Sequence, residues 1–203
     1  MRIILLAAAL AATPVGAVEL IVNGGFENTG FGGTTSFYNL GTTGADNPVP
    51  GDFGFAVTDN VDIIANGVYT APLASGGAYN LDLVGYGSNG AISQSFTTLL
   101  GKTYTVSIDY NQNGSGRIAD VSVNGGSIGT LVGTGAWQNF TTTFLGTGST
   151  VNFAITETVG GGNAGVVLDN ISVSAVPEPA TWGLMIAGFG MVGFAARRRF
   201  ALA

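Results

Sequence analysis

Apolar and polar residues take turns along much of this chain. Tyr104, Val106, Ile108 and Tyr110 share one side of a run whose intervening positions are Thr105, Ser107 and Asp109. Val151, Phe153 and Ile155 repeat the pattern around Asn152 and Ala154. A period of two sends successive side chains to opposite faces of a β-strand, one for a core and one for water. On this basis strands are predicted at Val18–Val22, Phe53–Thr58, Val61–Ala65, Ala78–Val84, Ala91–Thr97, Thr103–Tyr110, Ile118–Val123, Ser127–Val132, Ala136–Phe144, Val151–Thr156 and Val166–Val173. Between them Gly, Thr, Ser and Asn cluster as they do in turns. Residues 28–51 differ: Gly32-Gly33, Gly41, Gly44 and Asn47-Pro48 interrupt any period, which predicts a long binding or mobile loop. No amphipathic helix and no long repeat is visible between residues 18 and 176, so the pattern predicts an all-β sandwich.

The two ends read differently. Met1 and Arg2 precede an apolar run, Ile3 to Ala12, then Thr13-Pro14 and the small residues Val15-Gly16-Ala17, the form of a secretory signal peptide with the mature chain starting near Val18. At the other end Ala180 to Ala196 are uncharged, and as a helix these residues would reach about 25 Å, barely enough for a hydrocarbon core of about 30 Å. Arg197, Arg198 and Arg199 follow, and such a cluster stays cytoplasmic, which places everything before Pro177 outside. Three segments are expected: 1–17, a sandwich at 18–176, and a tail at 177–203 with a transmembrane helix.

Charge narrows the function. Between residues 18 and 176 eleven acids face two bases, Lys102 and Arg117, and a formal charge of −9 excludes nucleic-acid binding. The chain has no cysteine, so an exported domain here must be held by its core, by a metal or by assembly. It has no histidine either, so the elbow-like Gly125-Gly126-Ser127-Ile128-Gly129 lacks a base for a serine nucleophile. Gly85-Tyr86-Gly87-Ser88-Asn89-Gly90 matches a dinucleotide fingerprint in spacing, but a strand pattern follows where the fingerprint needs a helix. Glycoside hydrolysis needs two carboxylates about 5 to 10 Å apart in a cleft. Asp59 with Asp62, or Asp82 with Asp109, stay open as pairs, yet the size and charge of the core favour a protein that is not an enzyme.

Two resemblances rest on particular residues. Pro177-Glu178-Pro179-Ala180-Thr181-Trp182, the apolar run and Arg197 to Arg199 resemble the PEP-CTERM sorting signal of Gram-negative bacteria, in the variant where PEPATW opens the helix. That resemblance implies an exosortase as partner, cutting near Pro177, Glu178 and Pro179 and passing the protein to the envelope. The stretches NGGFE (23–27), YNLDLVGYGSNGAISQSFTTLLGKTYTVSIDY (79–110), WQNFTTTF (137–144) and GVVLDNISV (165–173) resemble the secreted choice-of-anchor families. They are also similar to plant cell-wall proteins and xylan-binding modules of the galactose-binding-like jelly-roll class. In such modules a structural calcium lies with the Glu of NGxFE and the Asp of LDN, here Glu27 and Asp169. The residues themselves allow two readings. The carboxylates could flank a hard cation near the carbonyls of Gly24 and Gly25, or they could accept backbone hydrogen bonds in turns.

Sugar recognition needs an exposed aromatic face and amides for the hydroxyls. Candidates are Phe53, Phe55, Tyr69, Tyr86 and Trp137, with Asn80, Asn89, Gln94, Asn111 and Gln112 near them in sequence. Related sequences tend to carry Trp between residues 45 and 60, where this chain has Phe53 and Phe55. Trp137, opening an alternating strand, reads as core, whereas Tyr86, in a glycine loop with Asn89, reads as a contact. The expectation is an exported, exosortase-sorted protein, anchored to the inner membrane by its C-terminal helix before processing. It then reaches the cell surface, outer envelope or extracellular matrix, and its sandwich binds carbohydrate or exopolysaccharide. The competing expectation is a structural or adhesive envelope protein that works through protein–protein assembly.

Overall fold

The computed structural model describes residues 17–30, 37–41, 47–68, 72–176, 183 and 186–191. Residues 18–175 form a compact unit of their own. Among the described residues its strands are β1 (Phe37–Gly41), β2 (Ala56–Thr58), β3 (Asn60–Ala65), β4 (Tyr79–Asp82), β5 (Ala91–Thr97), β6 (Thr103–Gln112), β7 (Ile118–Val123), β8 (Gly126–Val132), β9 (Gln138–Leu145), β10 (Thr150–Val159) and β11 (Val166–Ala175). They form a six-stranded sheet in the order β1-β3-β4-β11-β6-β9 and a five-stranded sheet in the order β2-β5-β10-β7-β8. Every pairing of named strands is antiparallel. This is a jelly-roll β-sandwich.

The alternation that marks the strands also builds the core. Tyr104, Val106 and Ile108 of β6 and Val151, Phe153 and Ile155 of β10 all point inward, and Phe153, Ile155 and Ile108 are fully buried. Each large aliphatic or aromatic side chain so buried contributes about 1.5–3 kcal/mol. With no disulfide available, this shared core carries the stability of the unit.

Two expectations about elements change, and a third falls largely outside the described residues. Val18–Val22 is not a strand; only Glu19 bridges, to Ser174. The Glu19 carboxylate instead accepts the N–H groups of Ile21 (2.8 Å) and Val173 (2.8 Å), partners that a regular ladder would have taken up with carbonyls. The long loop contains a strand, β1, which pairs with β3 through Tyr38 opposite Ile63 and Leu40 opposite Val61. In the tail, Gly183 and residues 186–191 are helical, and no helix among the described residues is long and apolar enough to cross a membrane. Pro177, Glu178, Pro179, Trp182 and Arg197 to Arg199 lie outside the described residues.

Candidate functional site

The outer face of the six-stranded sheet carries a row of polar side chains set by register. Asn39 lies opposite Asp62, Asp62 opposite Asp82, Asp82 opposite Val167, and Val167 opposite Asn111. A second row runs Asp169, Asp109, Asn139. Acids stacked like this repel one another unless each is given donors.

The donors come largely from the connection between β3 and β4. Its residues 72–78 cross the face as a strap. Ser75 Oγ donates to Asp109 (2.6 Å), the Gly76 N–H to Asp169 (2.9 Å), and the N–H groups of Ala78 and Tyr79 to Glu27 Oε1 (2.8 and 3.0 Å). Asn80 Nδ2 holds the Pro72 carbonyl (2.8 Å), and Trp137 Nε1 donates to the Leu73 carbonyl (2.9 Å). Asp109 also accepts from Asn139 and Asn170 (2.8 and 3.0 Å). Burial raises its proton affinity, but the bonds from Ser75, Asn139 and Asn170 outweigh that and bring its pKa below the ordinary value. Asp169 goes the other way: burial pushes it up, the Asp109 charge adds to this, and the Gly76 and Asn170 N–H groups oppose it.

NGGFE explains itself in this setting. The Asn23 side chain closes the loop, accepting the Asn28 N–H (2.9 Å) and donating to the Phe53 carbonyl (2.9 Å). A Cβ on Gly24 would collide with the Ile171 carbonyl of β11, so only glycine fits. Phe26 is fully buried, and Glu27 reaches the strap. The last strand answers with a bulge between Asp169 and Ser172, where Asn170 takes a φ of 46°.

Glu27 and Asp169 are thus brought to one strap, and each accepts backbone N–H groups there. No group of three or more His, Cys, Asp or Glu placed to hold a metal exists among the described residues. A cation on this pair would draw its remaining ligands from carbonyl and amide oxygens, the set that calcium tolerates.

Beside the strap lies a groove of about 620 Å³, lined by Pro72, Leu73 and Ala74 on one side, Asn111, Gln112 and Asn113 on another, and Gly135, Ala136 and Trp137. Trp137, expected in the core, is only half-buried and lines this groove, with its N–H occupied by Leu73. An aromatic ring amid amides suits a sugar: the ring meets C–H faces and the amides meet hydroxyls. Asn113 and the strap were missed from sequence because their partners lie far along the chain.

Phe53 and Phe55 correct a second expectation. They are 0% and 4% exposed and pack on Phe26 with ring centroids at 6.2 and 5.7 Å, leaving no face for a ligand. Tyr86 is 63% exposed and Asn89 is exposed on the same loop, which the Val84–Asn89 bridge closes. Gln94 is structural, binding Val22 through its Oε1 and Nε2 (2.8 and 3.1 Å) and Gly54 through Nε2 (2.7 Å). Tyr69 lies outside the described residues.

Asp82 and Asp109 make no open acid–base couple. Asp82 is buried and accepts the Val84 N–H (2.9 Å) and Asn113 Nδ2 (3.0 Å), whereas Asp109 is engaged by the strap. Asp59 occupies a turn at φ 56°. Burial raises Asp82 to about 7 against the bonds from Val84 and Asn113, and it raises Glu157 to about 7 as well. Glu157 is 3% exposed, and one of its carboxyl oxygens takes the Val166 N–H (3.0 Å).

The sandwich and its polar outer face place the unit in the fold shared by carbohydrate-binding jelly-roll modules. A family 61 module solved with β-1,4-galactotriose aligns with TM-score 0.51 and 18% identity over 78% of this chain and 99% of that one. A CBM4 structure aligns at 0.44 and 20% over 77% and 99%, and a family 35 module from Clostridium thermocellum at 0.41 and 18% over 59% and 91%. Residues 175–199 match the PEP-CTERM protein-sorting motif. No curated protein matches the chain.

Proposed function

We propose that this is an exported protein, sorted through an exosortase, whose sandwich binds glycan chains without acting on them, at the cell surface or in the extracellular polysaccharide. The observation that carries the reading is the Trp137 groove, in which a half-buried indole is held in place by Leu73 and faced by Asn111, Gln112 and Asn113. A jelly-roll fold and a C-terminal sorting motif support it. Tyr86 and Asn89 supply a second exposed aromatic–amide pair for a longer chain.

In this reading Glu27 and Asp169 hold one structural Ca²⁺. The ion would relieve the charge on the buried Asp169 and stiffen the strap that walls the groove, and it would have no part in any reaction.

The test is retention of residues 18–176 on a panel of plant and bacterial polysaccharides, in calcium and again in chelator. Retention in calcium that Trp137→Ala abolishes supports the groove. Loss of retention in chelator supports the metal. A folded sample that no polysaccharide retains would overturn glycan binding and favour assembly with other envelope proteins.

A further inference from the structure

At the end of the sandwich away from the groove, β5 and β6 are joined by a tight turn that displays leucines. The Lys102 N–H donates to the Leu99 carbonyl (3.2 Å) and Gly101 has a φ of 70°, so Leu100 holds the second position of a type II turn. Three more bonds fix its back: Leu99 N–H to the Tyr104 hydroxyl (2.9 Å), Gly101 N–H to the Gly146 carbonyl (2.9 Å), and Gly146 N–H to the Lys102 carbonyl (2.8 Å). The outcome is a rigid presentation of apolar surface. Leu99 is 65% exposed, Leu100 81%, and Leu145, at the neighbouring end of β9, 66%. A type II turn needs glycine at its third position but makes no demand for an aliphatic at its second, so the fold does not account for Leu100.

Register shows what else is at this end. Thr103 pairs with Leu145, and Tyr104 pairs with Ala175, the last residue of β11. Glu19 bridges Ser174, so Val18 and Val176 lie here too, both exposed. The chain therefore leaves the sandwich beside the leucines and enters the sorting motif at once. The apolar run that starts at Ala180 is four residues beyond Val176, a reach of at most about 15 Å. The acids within strands follow one trend: Asp62, Asp82, Asp109, Asp120, Glu157 and Asp169 sit in the halves of their strands nearer the groove, and Glu19, at the leucine end, is engaged by Ile21 and Val173. Lys102, one of two bases between residues 18 and 176, lies in the leucine turn itself.

We propose that Leu99, Leu100 and Leu145 form a bilayer-contact surface, which seats the sandwich on phospholipid with its groove facing away while the tail is uncut. An acidic domain elsewhere repels anionic headgroups; at this end aliphatic side chains enter the interface. Such contact is weak for the free domain and is strengthened by the high effective concentration that a short tether provides. The inference does not draw on glycan binding and survives if the groove binds nothing.

The test uses residues 18–176, which contain the whole core, and vesicles of phosphatidylethanolamine and phosphatidylglycerol in a sedimentation assay. The Leu99→Ser/Leu100→Ser/Leu145→Ser variant should lose vesicle binding about tenfold, since each exposed leucine loses its apolar burial. Val132→Ser, an exposed aliphatic at the groove end, should leave it unchanged. Because the three leucines are exposed, the variant should melt like the parent, which a thermal scan verifies. Absence of parental binding at saturating lipid, equal binding by the triple variant, or leucine-dependent dimerisation in ultracentrifugation without vesicle binding would each overturn the proposal.

Discussion

Gly24 is the point at which the N-terminal segment touches β11, and the contact leaves no room for a side chain. Gly24→Ala must push the two backbones apart and should cost at least about 2 kcal/mol in denaturant unfolding. Glu27→Ala leaves the Ala78 and Tyr79 N–H groups without their acceptor. Its expected cost is about 1 kcal/mol, at the low end because Glu27 is exposed to water. Trp137→Ala should remove polysaccharide retention while shifting the melting temperature little, and Tyr86→Ala should weaken retention only for long chains; affinity gels with graded oligosaccharides separate the two. At this scale the sequence was a partial guide. NGGFE and LDN marked Glu27 and Asp169 as candidates, and the structure sets both carboxylates against the strap. The aromatics were read in reverse. Phe53 and Phe55 sit among glycines yet fill the core under Phe26, and Trp137 opens an alternating strand yet lines a groove. The setting of Trp137 depends on the strap, which Leu73 and Gly76 join to residues 64 and 93 positions away.

Among elements, two buried acids in different sheets, Asp82 on β4 and Glu157 on β10, govern how the sandwich responds to pH. Asp82 and Glu157 rise from ordinary values of 3.8 and 4.5 to about 7. Burial is the first cause in both. Asp62 adds its charge at Asp82 and Asp82 adds its charge at Glu157, while Arg117 works against the shift at Glu157. A carboxyl that keeps its proton in the fold but loses it on unfolding favours the native state at low pH. That contribution is whole below about pH 4 and fades as the pH climbs through about 7. Denaturation midpoints should therefore fall between those limits and level off above them. Asp82→Asn should flatten the profile and raise the midpoint at pH 8, because its amide needs no proton to remain buried. Strands with clean alternation, such as β5 and β7, were legible to the residue. β1 was not, because an edge strand of five residues between glycines has too few alternations to stand out, and its pairing with β3 supplies what its own sequence lacks.

For the whole molecule, the sorting motif occupies residues 175–199 and the sandwich residues 18–175. Replacing Pro177, Glu178 and Pro179 with alanine should leave uncut, full-length protein in the inner-membrane fraction, as read by immunoblot of fractionated cells. Unchanged processing and location would remove the exosortase from the account. The course of β11 also has a mechanical meaning. It runs from Val166, beside Gln112 at the groove, to Ala175, where the chain departs, with β4 and β6 on either side of its first half. A force between the groove end and residue 175 would pull along this strand, so its bonds to β6 would be loaded together in shear and not peeled apart singly. A sandwich whose chain departs in this way resists being dragged open by a pull on its C-terminal end.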